Sequence, residues 1–187
     1  YAALSGAEPS SGQVLAAVAS LLAEGLPEPG RPVLNAEERL ERAEDLLVGA
    51  VEQAPVSGFV WEQRARFLEQ LGDDAGAEAA YSSALQLNPA SSDALAARAR
   101  HLALTGRLET GQPLSALALD SALQPPDWYL GVPALVAYRA GVFALAVEHA
   151  RIYAEAEREL GPVRSGEPRG APSAGAGRRR RRAVGPW

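Results

Sequence analysis

With 187 residues, 47% of them hydrophobic and only 6% aromatic, the chain is sized for one domain with tails, and its apolar content, mostly Ala and Leu, favours helix over strand. It contains no Cys, which excludes disulfides, thiolate metal sites and a cysteine nucleophile. The net charge of −5 hides an uneven split: from Arg164 onward seven Arg face the single acid Glu167, a net of +6, which leaves −11 on the remainder and argues against nucleic acid as the main partner of the body.

In chain order, residues 1–12 are small and polar and read as a flexible N-terminus. Gln13–Glu24 is a short helix candidate with Val14, Leu15, Val18, Leu21 and Leu22 on one face, stopped by Pro27-Glu28-Pro29-Gly30. Asn35 is placed to cap a longer helix, with Glu38 completing a capping box and Leu40, Ala43, Leu47, Ala50 and Val51 as its stripe. The clearest stretch follows. Trp61, Ala65, Leu68 and Leu71 recur at helical spacing, as do Ala77, Ala80, Tyr81, Ala84 and Leu85. Gly72-Asp73-Asp74 supplies a turn and a cap between them, and Asn88-Pro89 ends the second helix.

Trp61, Gly72, Ala77, Tyr81, Ala84 and Pro89 stand at offsets 0, 11, 16, 20, 23 and 28. This pattern resembles one tetratricopeptide repeat (TPR), a helix–turn–helix unit of about 34 residues. Arg64, Ala65 and Leu68 stand where the family favours Leu, Gly and Tyr. The phase extends both ways. Ala43, Ala50 and Pro55 lie 34 residues before Ala77, Ala84 and Pro89, and Leu95, Ala99, Leu102 and Gly106 lie 34 after Trp61, Ala65, Leu68 and Gly72. Ser91 or Ser92 is expected to cap this next unit. Gly111, Gln112 and Pro113 predict a delayed second helix there, through Leu114, Leu117, Ala118 and Leu123, with about one helical turn inserted.

The last unit runs from Asp127, with Gly141 35 residues after Gly106. Leu130, Ala134, Ala137 and Tyr138 are expected to serve its first helix, and Phe143, Ala146, Val147, Ala150 and Tyr153 its second. Pro133 predicts a helix that starts just before it. The expected fold is therefore all-α, a TPR-like α-solenoid of antiparallel helix pairs with about three repeats. Its divisions are 13–55 (degenerate), 58–91 (best), 92–126 (irregular) and 127–160 (last) within a domain spanning 13–160. Residues 161–187, rich in Gly, Pro, Ser and Arg, are expected to form a disordered tail.

No HExxH, GxSxG or phosphate-loop motif is present, and His101 and His149 read as helix-surface or partly packed side chains. Glu37, Glu38, Glu41, Glu44 and Asp45 read as a solvated face. No catalytic residue, metal ligand or cofactor is expected. Arg178–Arg182 has no interleaved aromatics, so only non-specific contact with an anionic surface is expected, and no specific nucleic acid. No run approaches the roughly 18–20 apolar residues that cross a bilayer. A cytoplasmic location is expected, or a periplasmic one if a signal or anchor precedes Tyr1. The absence of Met, at position 1 and elsewhere, predicts a processed product or an excised fragment.

The resemblance implies a concave face that binds a peptide or helix of a partner, lined by Phe59, Glu62, Arg66 and Glu69 in the best unit. By the same phase it implies Asp93, Ala96 and Arg100 in the next, and Trp128, Leu135, Tyr138 and Arg139 in the last. Arg66, Arg100 and Arg139 are expected to meet partner carboxylates, and Phe59 and Tyr138 an apolar anchor. The Lys/Asn carboxylate clamp of some TPR domains is not carried over, because Glu62, Arg66, Ala97 and Arg100 occupy its positions. The expected function is a non-catalytic protein-interaction scaffold. A second reading is the C-terminal regulatory segment of a larger bacterial signalling enzyme of nucleotidyl cyclase type, or of a transcriptional regulator, since the Pro-Pro-Asp-Trp-Tyr junction at 125–129 resembles the TPR tails of some bacterial class III nucleotidyl cyclases and related regulators. A helical hydrolase or metalloenzyme is the least supported reading.

Overall fold

The computed structural model describes residues 10–27, 30, 32–123 and 125–160. Eight helices appear among them: α1 Ser11–Ala23, α2 Ala36–Gln53, α3 Gly58–Gln70, α4 Asp74–Leu87, α5 Ser92–Leu104, α6 Leu108–Ser121, α7 Asp127–Arg139 and α8 Phe143–Leu160. Each odd-numbered helix packs most extensively on the even-numbered helix that follows it, giving four helix pairs. The described residues contain no strand. The architecture is an all-α, TPR-like solenoid.

Local chemistry sets most helix ends. Asn35 and Glu38 form the expected capping box, the Asn35 Oδ1 accepting from the Glu38 N–H at 3.0 Å and the Glu38 carboxylate from the Asn35 N–H at 2.9 Å. Asp73 caps α4 by accepting from the Gly76 N–H at 2.9 Å, and Ser91 rather than Ser92 caps α5. The α3–α4, α5–α6 and α7–α8 turns pass through Gly72, Gly106 and Gly141 at φ of 77°, 84° and 75°, a left-handed conformation that costs other residues roughly 1 kcal/mol. In each turn the next N–H reaches back to the helix, from Asp73 to the Leu68 carbonyl, Arg107 to Leu102 and Val142 to Ala137. The same motif ends α1 at Gly25, where the longer 24–35 connection hides it from the repeat phase.

Small side chains make the interfaces within pairs. Ala16 and Ala19 of α1 meet Ala43 and Ala50 of α2, and Ala65 of α3 meets Ala77 and Ala80 of α4, all essentially inaccessible to solvent. Close-packed interiors feel a change of even one methylene, so these alanines fix how closely each pair approaches. Tyr81 fills the space left in the second pair and is fully buried.

Several details depart from expectation. The first helix starts at Ser11, because Ser10 and Gln13 form a second capping box; residues 11 and 12 are helical, and residues 1–9 lie outside the described residues. Its core side is Ala16, Ala19 and Leu22, with Leu15 and Val18 half-buried, while Val14 and Leu21 are exposed. The second helix of the third pair is not delayed. It runs from Leu108 straight through Pro113, which forgoes one hydrogen bond in the second turn. Gly111 explains the tight fit there: a Cβ at that position would lie 3.1 Å from the Ala99 carbonyl oxygen and 3.3 Å from the Leu102 Cβ.

No helical turn is inserted in this pair. The 35-residue spacing comes from one extra residue in the 122–126 connection, five residues long where 54–57 and 88–91 have four. Leu117 and Leu123 are exposed. Pro133 likewise sits in the second turn of α7 rather than the first.

The inward face of α7 is Tyr129, Val132, Val136 and Ala137, so Leu130 and Tyr138 are not its core residues. In α8 only Ala146 of the expected stripe is buried, and Phe143 and Val147 are exposed, because no described helix packs on the outer side of this pair. His101 is buried rather than superficial, 5.8 Å from the Tyr81 ring. The expected disordered tail, 161–187, lies outside the described residues.

Candidate functional site: the inner wall of the first helices

The packing order gives the solenoid an inner and an outer side. The first helices of successive pairs touch, α1 on α3, α3 on α5 and α5 on α7, whereas among the described residues no second helix contacts another second helix. The first helices therefore crowd together on the inside and the second helices splay outside, which makes a curved inner wall. A cavity of about 280 Å³ opens on that wall. It draws on all four first helices: Ser20 and Ala23 from α1, with Glu24 just past its end, Phe59, Glu62 and Arg66 among others from α3, Asp93 from α5 and Trp128 from α7.

Of the residues expected at a partner groove, five meet here: Phe59, Glu62, Arg66, Asp93 and Trp128. Glu62 is nearly inaccessible, and Arg66 one turn on donates to its Oε1 through both Nε (3.1 Å) and Nη2 (2.9 Å). Burial raises the Glu62 carboxyl above its ordinary range; Arg66 pulls it back down, and nearby Asp93 pushes it up again. The Arg66 guanidinium also lies over the Trp128 ring, 5.3 Å from its centre, a cation–π contact joining the second and fourth pairs. Trp128 reaches across because the α5 surface beneath it is small, with Ala96 and Ala97 both buried. Its neighbour Tyr129 meets it edge-on at 4.5 Å and donates its hydroxyl to Asp93 Oδ1 at 2.7 Å. Burial, more than that bond, raises the Tyr129 phenol well above its usual value.

The other expected residues lie elsewhere. Glu69 and Arg100 pair at 3.1 Å, and Glu69 also accepts the buried Tyr81 hydroxyl at 2.9 Å, so this cluster ties α3, α4 and α5 together. Arg139 donates to the Ala103 and Leu104 carbonyls, both at 3.2 Å, and so satisfies the C-terminal end of α5. Leu135 packs against the core formed with Ala99 and Val132. Tyr138 is 60% exposed and meets the Phe143 ring, 5.8 Å between ring centres. Each of the three arginines expected to meet partner carboxylates thus has a partner within the chain.

Residues outside the expected set complete the cavity, chiefly Gln63, Gln70, Ser20 and Glu24. Ser20 Oγ donates to Gln63 Oε1 at 2.6 Å, which fixes the α1–α3 edge. Treating the first pair as degenerate hid the α1 contribution. A second cavity, about 230 Å³ and largely apolar, lies between α6, α7 and α8 with His149 on its wall and the buried Ser115 hydroxyl left without a hydrogen bond.

Two comparisons bear on this geometry. Residues 58–102 match the family described as tetratricopeptide repeat, a span that holds α3, α4 and most of α5. No curated protein matches the chain.

Proposed function

We propose, for a chain that carries a tetratricopeptide repeat over residues 58–102, that the inner wall of the first helices binds an extended segment or helix of another protein, and that the chain does so as a non-catalytic scaffold. Tetratricopeptide repeats generally mediate protein–protein association and are typically non-catalytic. No helix among the described residues is long and apolar enough to cross a membrane. A cytoplasmic setting belongs to this reading.

The observation that carries the proposal is the cavity to which all four first helices contribute. It joins aromatic surface, from Phe59 and Trp128, to a few fixed charges, the combination that gives a recognition site both contact area and orientation. The test is to pan a displayed peptide library against the full chain and against a Gln63→Trp variant, in which a bulky ring at the cavity edge takes up the space. Selected peptides should bind the parent and lose at least tenfold in affinity for the variant, with helicity unchanged. Peptides that bind both chains equally would place recognition elsewhere.

A further inference from the structure

The charge lining the cavity has a definite sign. Glu24, Glu62 and Asp93 face it, against Arg66 alone. Arg66 is matched by Glu62 through two hydrogen bonds to one oxygen, so the remaining charge at the wall is that of Glu24 and Asp93. Phe59 adds aromatic surface beside Trp128, whose ring Arg66 already lies over, and a guanidinium stacks on such a surface more readily than an ammonium does. A wall of this kind repels acidic segments and favours arginine. The chain itself carries such a segment, because Arg178–Arg182 are consecutive and the stretch from Arg164 is net +6 beside a remainder of −11.

Building on the groove reading above, we propose that the occupant is the chain's own Arg178–Arg182 run, which docks on the cavity between α1, α3, α5 and α7 and competes there with a partner. Residues 161–177 separate α8 from this run, and 17 residues span up to roughly 55 Å when extended. Three steps along the stack, at about 8–10 Å between packed helices, need roughly 30 Å. A linker of that length holds the run near the cavity at an effective concentration of the order of millimolar, so a weak site is occupied without high intrinsic affinity.

The test uses a fluorescently labelled penta-arginine peptide and the full-length chain at low ionic strength. The peptide is titrated into the parent and into a chain with all five residues 178–182 changed from Arg to Ser. The substituted chain should bind the peptide about tenfold more tightly than the parent, because the competitor has been removed. Adding Glu24→Gln and Asp93→Asn to the substituted chain should reverse that gain. Asn keeps an acceptor for the Tyr129 hydroxyl, and circular dichroism checks that the fold is intact. Adding Glu41→Gln and Glu44→Gln on α2 instead should leave the affinity unchanged.

Equal affinity for parent and substituted chain would overturn the proposal while leaving a cation-binding groove in place. An equal loss from the α2 pair would also overturn it, by reducing the effect to general acidity. No binding by any chain would overturn it too, and the library experiment with Gln63→Trp then decides separately whether the wall binds peptides of another kind.

Discussion

Glu62 is the residue where structure and chemistry pull hardest against each other. It is 4% exposed, and burial outweighs its ion pair with Arg66, so its folded-state pKa lies above the ordinary carboxylate range. The sign follows directly. A carboxyl whose pKa is raised by folding favours the folded state when protonated, and this contribution is lost as pH rises through the folded pKa. Glu62→Gln should therefore melt higher than the parent at neutral pH, with the advantage shrinking as pH falls into the ordinary carboxylate range. Parallel melting curves across that range would show that Arg66 fully offsets the burial. Ser115 is a simpler case. Its hydroxyl is buried without a hydrogen-bond partner, and leaving such a group unsatisfied costs about 1–3 kcal/mol. Ser115→Ala should gain about 1 kcal/mol in a denaturant titration; a loss of stability would mean the hydroxyl has a partner in solution.

At the scale of elements, two glycines predict opposite outcomes. Gly106 turns the chain from α5 to α6 at φ 84°, so Gly106→Ala should cost about 1 kcal/mol although open space surrounds it. Gly131 lies inside α7 with nothing near the position of a Cβ, so Gly131→Ala should gain about 0.5–1 kcal/mol by removing backbone entropy from the unfolded chain. Thermal melts of the two variants should move apart by several degrees, and a shift in the same direction for both would contradict the assigned backbone. These turns were legible in the sequence because their causes are local: one glycine, one capping Asp or Asn, one proline after a helix. The inward face of α7 was not. Leu130, Val132, Ala134, Leu135, Val136, Ala137 and Tyr138 make that helix apolar on nearly every side, and only packing against α5 selects Val132 and Val136. Pro113 and Pro133 misled for a related reason, since neighbouring helices hold each helix together across its missing hydrogen bond.

At the scale of the molecule, repeat phase placed Phe59, Glu62, Arg66, Asp93 and Trp128 on one surface, because a 34-residue period carries a face from unit to unit. It could not show that Trp128 leans across α5 to Arg66, or that Arg100 and Arg139 are engaged with Glu69 and with α5 carbonyls. Those contacts depend on side chains 31–62 positions apart, which no local pattern encodes. The result is an inner wall that is more acidic and more aromatic than its arginines suggest. The most direct test of this account is to follow the tryptophan indole N–H resonances by NMR while adding a library-selected peptide. Trp128 lines the cavity, whereas the Trp61 indole donates to the Pro55 carbonyl at 2.8 Å and does not line it. Binding at the inner wall predicts that the Trp128 signal shifts in proportion to peptide bound while Trp61 stays in place. A shift at Trp61 with Trp128 unmoved would contradict it.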